Sequence, residues 1–263
     1  MKPKKRFGQH FLRNRGAVEK IVAAVEPQPG EVIVEIGPGE GVLTEKLLEI
    51  APVIAIEIDR DLAPALKIRF GERLEVRNED ALDAPLPEQP YRAVGNLPYN
   101  VGTPILRRVI ADTHWKRAVF MLQKEVADRL IAKPGEEDYG YLTLYTQVYA
   151  RAKRLMTLEP KSFYPPPKVR SAVVVLEPDL KPFASSELLD LLSTAFRMRR
   201  KTLVNNLSGW RGATRDSVVA ALTAAGIDER IRAEELSLEQ FELVRKTIHH
   251  RDTEKDGEHK EKT

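Results

Sequence analysis

The stretch EVIVEIGPGEGVLT, residues 31–44, decides how the rest of the chain is read. Val32 to Ile36 is apolar and rich in β-branched residues, the pattern of a strand buried on both faces. Gly37, Gly39 and Gly41 follow around Pro38 and Glu40, and then a helix-period run, LTEKLLEI. Strand, glycine turn, helix is the ligand-binding unit of an open α/β sheet, with the ligand outside the carboxyl end of the strand. Glycine has no Cβ, so the chain turns sharply and a ligand can approach its backbone. The spacing is G-x-G-x-G, not the G-x-G-x-x-G of a dinucleotide fold. Glu35, two residues before the first glycine, would repel a pyrophosphate but could pair with the amino group of a methionine moiety. The loop therefore points to S-adenosylmethionine, the alternative being a tight turn with no ligand.

The whole chain sets limits on this reading. Its 263 residues suffice for a large domain and a small one. It has no cysteine, which excludes disulfides, thiolate nucleophiles and cysteine-ligated metals. The five histidines show no H-x-x-x-H pairing, so no metal site is expected. There is no apolar run of membrane-spanning length and no apolar signal core behind the basic N-terminus, so a soluble cytoplasmic protein is expected. Net charge is only +3, but it is unevenly spread. Residues 1–18 hold six Lys or Arg and no acid; Arg151, Lys153, Arg154, Lys161, Lys168 and Arg170 face Glu159 alone; Arg197, Arg199, Arg200 and Lys201 form a third cluster. Any one such run reads equally as a solvated face. Three of them beside a small-molecule site point to a polyanion such as nucleic acid.

Taken in order, residues 1–14 read as a basic arm and a compact FGQHFL segment able to cover a planar ligand, and Asn14 as the cap of a helix presenting Val18, Ile21, Val22 and Val25. After the glycine unit, VIAIEID is a second buried strand ending in Glu57 and Asp59. An acid at that strand end, about 20 residues past the loop, is placed to accept from ribose hydroxyls, and Glu57 is the better candidate. A third strand, LEVRNED, ends at Asp80, where a carboxylate can accept from the exocyclic amine of adenine. A fourth leads into Asn96-Leu97-Pro98-Tyr99. Pro98 stiffens that turn and removes an amide donor. The Asn96 side-chain oxygen and the Leu97 carbonyl can then both accept from one amino group, while Tyr99 offers a flat face to a base. An amine conjugated to a ring is a poor nucleophile, and two acceptors on its hydrogens favour a pyramidal nitrogen whose lone pair meets an electrophilic methyl. WKRAVFMLQ, RAKRLMTL and VRSAVVVLEP complete seven strands, with tyrosine-rich YGYLTLYTQVYA read as a packing helix. SFYPPPKV presents Phe163 on a proline-stiffened loop between Lys161 and Lys168, suited to stacking on a base turned out of its helix. From residue 182 the pattern is helical, with Asn205 and Asn206 near the third basic cluster, where they could meet sugar or phosphate edges, and residues 249–263 are of mixed charge without apolar residues and read as disordered. The domains expected are an arm and lid over 1–14, a catalytic domain over 15–181, a helical domain over 182–248 and a tail over 249–263.

These motifs, FGQHFL, VEIGPGEGVLT, IEID, NLPYN, FYPPPKVRSAVV and RRKTLVNNL, resemble in order those of the KsgA-type small-subunit (16S) ribosomal RNA adenine N6-dimethyltransferases, from Arg6 to about Ile248. The resemblance implies an α/β class I S-adenosylmethionine-dependent methyltransferase domain, a seven-stranded mixed sheet with its last strand antiparallel, and a small all-α C-terminal domain that helps hold RNA. It implies four methyl transfers, two to each of two adjacent adenosines in a hairpin loop near the 3′ end of 16S rRNA; the sequence itself suggests a monomer. Carried onto this chain, cofactor contacts fall on His10, Leu12, Gly37, Glu57, Asp80 and Asn96. The target adenine falls between Tyr99 and Phe163, with Asn96 and Leu97 holding its amine. Position 10 is His where some members have Asn; a neutral imidazole offers one donor and one acceptor.

Four alternatives stand beside this reading. A DNA adenine methyltransferase would also use an Asn-Pro-aromatic turn, but the chain leaves little room for a target-reading domain, and a nicotinamide-linked oxidoreductase is disfavoured by the loop spacing and Glu35. The related 23S rRNA adenine dimethyltransferases share the glycine loop and an Asn-[Leu/Ile]-Pro-[Tyr/Phe] turn, although RRKTLVNNL and NLPYNVGTPIL fit the small-subunit group better. A ribosome-assembly factor that mainly binds would keep the basic runs without needing Glu57, Asp80 and Asn96 together.

Overall fold

The computed structural model describes residue 4 and residues 8–248, and the contacts within it divide the chain into two units. The first takes residues 1–131 and 150–179, the second 132–149 and 180–263. The stretch 15–181, read from sequence as one continuous domain, is thus interrupted: residues 132–149 group with the helices. Most of the basic arm and the whole tail over 249–263 lie outside the described residues.

The first unit is built on a sheet of seven strands. In chain order these are β2 (Val32–Ile36), β3 (Val53–Ile56), β4 (Leu74–Arg77), β5 (Tyr91–Asn96), β6 (Trp115–Gln123), β7 (Ala150–Leu158) and β9 (Ser171–Pro178). Their spatial order is β4-β3-β2-β5-β6-β9-β7. β9, last in sequence, runs antiparallel to both its neighbours, with Val119 opposite Val175 and Ala152 opposite Leu176. The other pairings are parallel, with Val34 opposite both Ile54 and Ala93. Central strands sandwiched between helices need apolar residues on both faces, and Ile33, Val34, Ala55, Ala93 and Val94 are fully buried. The edge strand β7 is guarded differently: Arg151, Lys153 and Arg154 are exposed and the register shifts between Arg154 and Met156, both of which discourage pairing with another chain. A separate two-residue ladder joins β1 (Phe11–Leu12) to β8 (Phe163–Tyr164), antiparallel.

Helix α1 (Arg15–Val25) begins where Asn14 Oδ1 accepts from the Ala17 amide at 3.1 Å, and it buries Ala17, Val18, Ile21 and Val25 against the sheet core. Helix α2 (Val42–Leu47) leads from the glycine loop to β3, and α3 (Leu62–Phe70) from β3 towards β4. Helix α4 (Gly102–Ala111) joins β5 to β6, and α5 (Lys124–Ile131) follows β6. The chain runs outward from β2 through β3 to β4, then crosses back to β5 on the other side of β2. The carboxyl end of β2 is therefore the switch point where such sheets bind ligands.

The second unit holds α6 (Tyr141–Tyr149), α7 (Ser186–Ala195), α8 (Leu203–Leu207), α9 (Arg215–Ala224) and a last helix over residues 238–248. Ser185, Thr202 and Thr214 cap α7, α8 and α9 through their side-chain oxygens. Leu144, Val148, Leu188, Leu192, Leu207 and Phe241 meet in its core. The tyrosines of α6 pack on one another, Tyr145 with Tyr149 at 5.1 Å between centroids, in keeping with a packing role. RRKTLVNNL is helical only from Leu203, because Thr202 caps there and leaves Arg197, Arg199, Arg200 and Lys201 exposed before it. Asn206, read from sequence as a possible contact for sugar or phosphate, is buried and donates to the Met198 carbonyl, so it braces this turn instead. Asn205 stays exposed and accepts from Arg215.

Candidate active site

A cavity of about 270 Å³ opens beyond the carboxyl ends of β2, β3 and β5. One wall is the glycine loop. Gly41 has φ +79°, and a Cβ there would come within 2.7 Å of the Phe70 ring; at Gly39, φ +59°, it would meet Phe11 at 3.0 Å. Packed against two aromatic rings and lacking side chains, the loop offers its backbone to the cavity.

The carboxylates around that loop are fixed in advance. Glu57, buried just past β3, accepts from the Gly39 amide at 3.1 Å through Oε2 and from the Asp59 amide at 2.9 Å through Oε1. Burial raises its pKa, against the opposing pull of those two amides. Glu35 is fully buried within β2; burial pushes its carboxyl up to about 7, although Thr44 Oγ1 donates to it at 2.6 Å. Asp80 lies three residues beyond the end of β4, in a turn rather than on the strand. Its Oδ1 accepts from the Leu82 amide at 2.9 Å, and Arg108 pins the turn through the Ala81 and Ala84 carbonyls.

The opposite wall is Asn96-Leu97-Pro98-Tyr99. The Leu97 amide donates to the Met121 carbonyl at 3.0 Å, anchoring the turn to β6, and the Val101 amide closes on the Pro98 carbonyl at 3.2 Å. Pro98 has no N–H, and the Leu97 carbonyl accepts no bond among the described residues. Asn96 Nδ2 donates to the His10 carbonyl at 2.7 Å, which fixes the amide's orientation and leaves Oδ1 as an acceptor in the cavity wall. The Tyr99 hydroxyl shares a 2.8 Å hydrogen bond with buried Ser171 Oγ, and burial raises its pKa. The Tyr99 ring stacks on His10, centroids 5.5 Å apart and planes at 27°. His10 Nδ1–H in turn donates to the Pro165 carbonyl at 2.7 Å. The segment that brings His10 here is tied down by Gln9, whose amide donates to Asp59 at 2.8 Å, and by Lys4, which pairs with Asp59 at 2.5 Å.

His10, Leu12, Gly37, Glu57, Asp80, Asn96, Leu97 and Tyr99 thus come together on one cavity. Phe163 does not. It is 4% exposed, packed into the sheet core with Leu12 and Leu158, and absent from the cavity wall, so it does not face the cavity in this conformation. Three residues escaped the sequence reading. Ile58, 42% exposed at the cavity edge, is apolar between two acids, a signal present in IEID. Ser171 and Tyr164 carry no signal without the partner strand that orients them.

Glu57 just past β3 suits the ribose of S-adenosylmethionine, Asp80 in the turn after β4 and the apolar edge at Ile58 suit its adenine, and the glycine loop suits its methionine part. Together with the sheet order, they define a class I S-adenosylmethionine-dependent methyltransferase. The chain belongs to the ribosomal RNA adenine dimethylase family, whose sequence profile matches residues 1–250. It is 46% identical over 258 residues to the ribosomal RNA small subunit methyltransferase A of Laribacter hongkongensis, covering 92% of this chain and 94% of that one. With the protein of the same name from Methylococcus capsulatus it is 46% identical over 255 residues, covering 91% and 95%. Among solved structures, a dimethyladenosine transferase from Plasmodium falciparum superposes with a TM-score of 0.79 at 29% identity, over 89% of this chain and 96% of that one. The 23S rRNA methyltransferase ErmE gives 0.73 at 27% identity, over 91% and 99%.

Proposed function

We propose that this enzyme dimethylates N6 of two adjacent adenosines in a hairpin loop near the 3′ end of 16S rRNA, within the small ribosomal subunit or its assembly precursor. It acts in the cytoplasm as a monomer. The unit built on the sheet binds cofactor and performs transfer; the helical unit holds RNA through Arg197, Arg200 and Lys201. The observation that carries the chemistry is the pair of free acceptors, Asn96 Oδ1 and the Leu97 carbonyl, on one rigid turn beside the glycine loop.

S-adenosylmethionine, when bound, supplies a methyl on a positively charged sulfur. Glu57 takes the ribose hydroxyls with the lone pairs its two amide donors leave over, and Asp80 takes the adenine amine. Gly37 and Leu12 line the same pocket, and His10 covers it. On the substrate, Asn96 Oδ1 and the Leu97 carbonyl accept the two N6 hydrogens, which weakens conjugation with the ring and frees the nitrogen lone pair. Tyr99 supports the base, with its ring angle held by Ser171. For the base to stack there the His10 imidazole has to give up its place, and Phe163 serves as a second face only after the β1–β8 ladder opens.

Small-subunit specificity is supported by the relatives at 40–46% identity, all named for the small subunit, against 27% for ErmE. The test is transfer of labelled methyl to undermethylated small subunits, with large subunits and duplex DNA alongside. N6,N6-dimethyladenosine recovered from the small subunit alone is expected. Label in large-subunit RNA would move the enzyme to the 23S group, and cofactor binding with no transfer would favour an assembly factor.

A further inference from the structure

Successive side chains of a strand point to opposite faces. In β8 that rule turns Phe163 inward and Tyr164 outward, and Tyr164 is 56% exposed. Its backbone pairs with Phe11 of β1, and the next residue, Pro165, carries the carbonyl that holds His10 in the cavity wall. The exposed ring is therefore one residue from the carbonyl that holds the imidazole that has to move when a base enters. One cation lies near the ring in space and others flank it in sequence. The Arg13 guanidinium lies 6.0 Å from the ring centroid and also meets Glu40 at 2.6 Å. Lys161 and Lys168, on either side in sequence, are exposed and make no ion pair among the described residues. Arg170 reaches only Glu159, at 3.9 Å.

We propose that Tyr164 is a stacking platform for an unpaired RNA base adjacent to the target adenosine, with Lys161, Lys168 and Arg13 meeting the phosphates on either side of it. An exposed aromatic face in a basic stretch of chain is the usual construction for holding single-stranded nucleic acid. An unpaired base is the occupant because the ring adjoins Pro165, whose carbonyl holds His10 in the cavity wall, and two adjacent target adenosines require the neighbour of a flipped base to be held outside. The inference rests on the RNA substrate proposed above and adds a second base site, separate from the one at Tyr99.

The test uses the full chain with Tyr164→Ala, Tyr164→Phe and Tyr164→Trp. Methyl transfer is measured against RNA concentration, and binding is measured with a hairpin carrying 2-aminopurine beside the target. The alanine variant is expected to raise KM for RNA about 10-fold, the lower range of one lost base stack. Its kcat at saturating RNA, its cofactor affinity and its melting temperature should stay unchanged. Phe and Trp should restore KM. The probe should be more strongly quenched by the wild type than by the alanine variant. An unmoved KM, failure of Phe and Trp to restore it, or a loss in kcat alone overturns the proposal. The 2-aminopurine measurement needs no methyl transfer, so it still reports on Tyr164 if the wild type proves inactive on small subunits.

Discussion

At one end of the cavity the polar groups are already engaged: Glu57 holds two backbone amides, Glu35 a threonine hydroxyl and Asp80 a turn amide. At the other end the acceptors are open, the stacking face of Tyr99 is covered by His10, and Phe163 is buried. The first end is preorganised around a small molecule of constant shape. On the function proposed above, the second is completed only when RNA displaces the His10 ring from Tyr99. Preorganisation lowers the cost of binding the cofactor. At the base end His10 keeps the Tyr99 ring packed, and on the proposed function RNA takes its place.

The sharpest way to break this contrast is Asn96→Ala. If the base end works through bare acceptors, single-turnover methyl transfer should fall by about 10³-fold, the scale of losing one aimed polar group in a dry site. RNA affinity in a filter-binding assay should not change, because no cation is removed; an equal loss of RNA binding would remove Asn96 from the chemistry. Next in size is Glu57→Ala at the engaged end. It should weaken S-adenosylmethionine by about 10²–10⁴-fold in calorimetry, from two hydrogen bonds to a charged group at about 1.5–3 kcal/mol each. The rate at saturating cofactor should survive.

Glu35→Gln tests how much stability the buried end gives up. The folded carboxyl titrates at about 7 because of burial, while its unfolded value is 4.5. Between those values the native state holds a proton that the unfolded chain has lost, so stability falls as pH rises through that window and stays reduced above it. Glutamine removes this dependence. At pH 8 the variant should be more stable by about 2–3 kcal/mol, shrinking towards zero at pH 4.5, as read from denaturant midpoints. A pH-independent difference would show that Glu35 is not neutralised by burial. The smallest effect belongs to Ser171→Ala and Tyr99→Phe. Each should cost about 5-fold in kcat, one neutral hydrogen bond, with cofactor KM unchanged. The double variant should lose no more than either single one, since both remove the same bond; additive losses would deny that Ser171 acts through Tyr99.

Much of this architecture is legible in the sequence, for physical reasons that differ by element. VIVEI, VIAI and SAVVVLEP are β-branched runs that fit the interior of a sheet and little else, and the helix cap at Asn14 is a local signal read correctly without tertiary context. The glycine loop and Asn96-Leu97-Pro98-Tyr99 are equally local, because their spacing determines which backbone groups are left unpaired. What was not legible depends on a partner distant in sequence. Whether Phe163 or Tyr164 faces outward is a matter of parity in a two-residue strand, set by its pairing with Phe11 and Leu12 some 150 residues earlier. His10 reads as a polar residue in a lid; that its ring lies on Tyr99 follows from the Pro165 carbonyl that holds it. Helix α6 has a clear apolar face, but nothing in YLTLYTQVY says which of two cores that face belongs to.

The path of the chain between its two units carries a genetic consequence. The polypeptide passes from one to the other after Ile131, again after Tyr149 and a third time after Asp179. A stop codon after residue 179 would leave Leu144 and Val148 of α6 without the helices they pack among, and a gene fragment starting at 180 would lack α6 altogether. Neither unit is a cassette that a single recombination breakpoint can exchange. The sheet and the helices are therefore inherited together, and swaps between family members have to use three junctions to keep both cores whole.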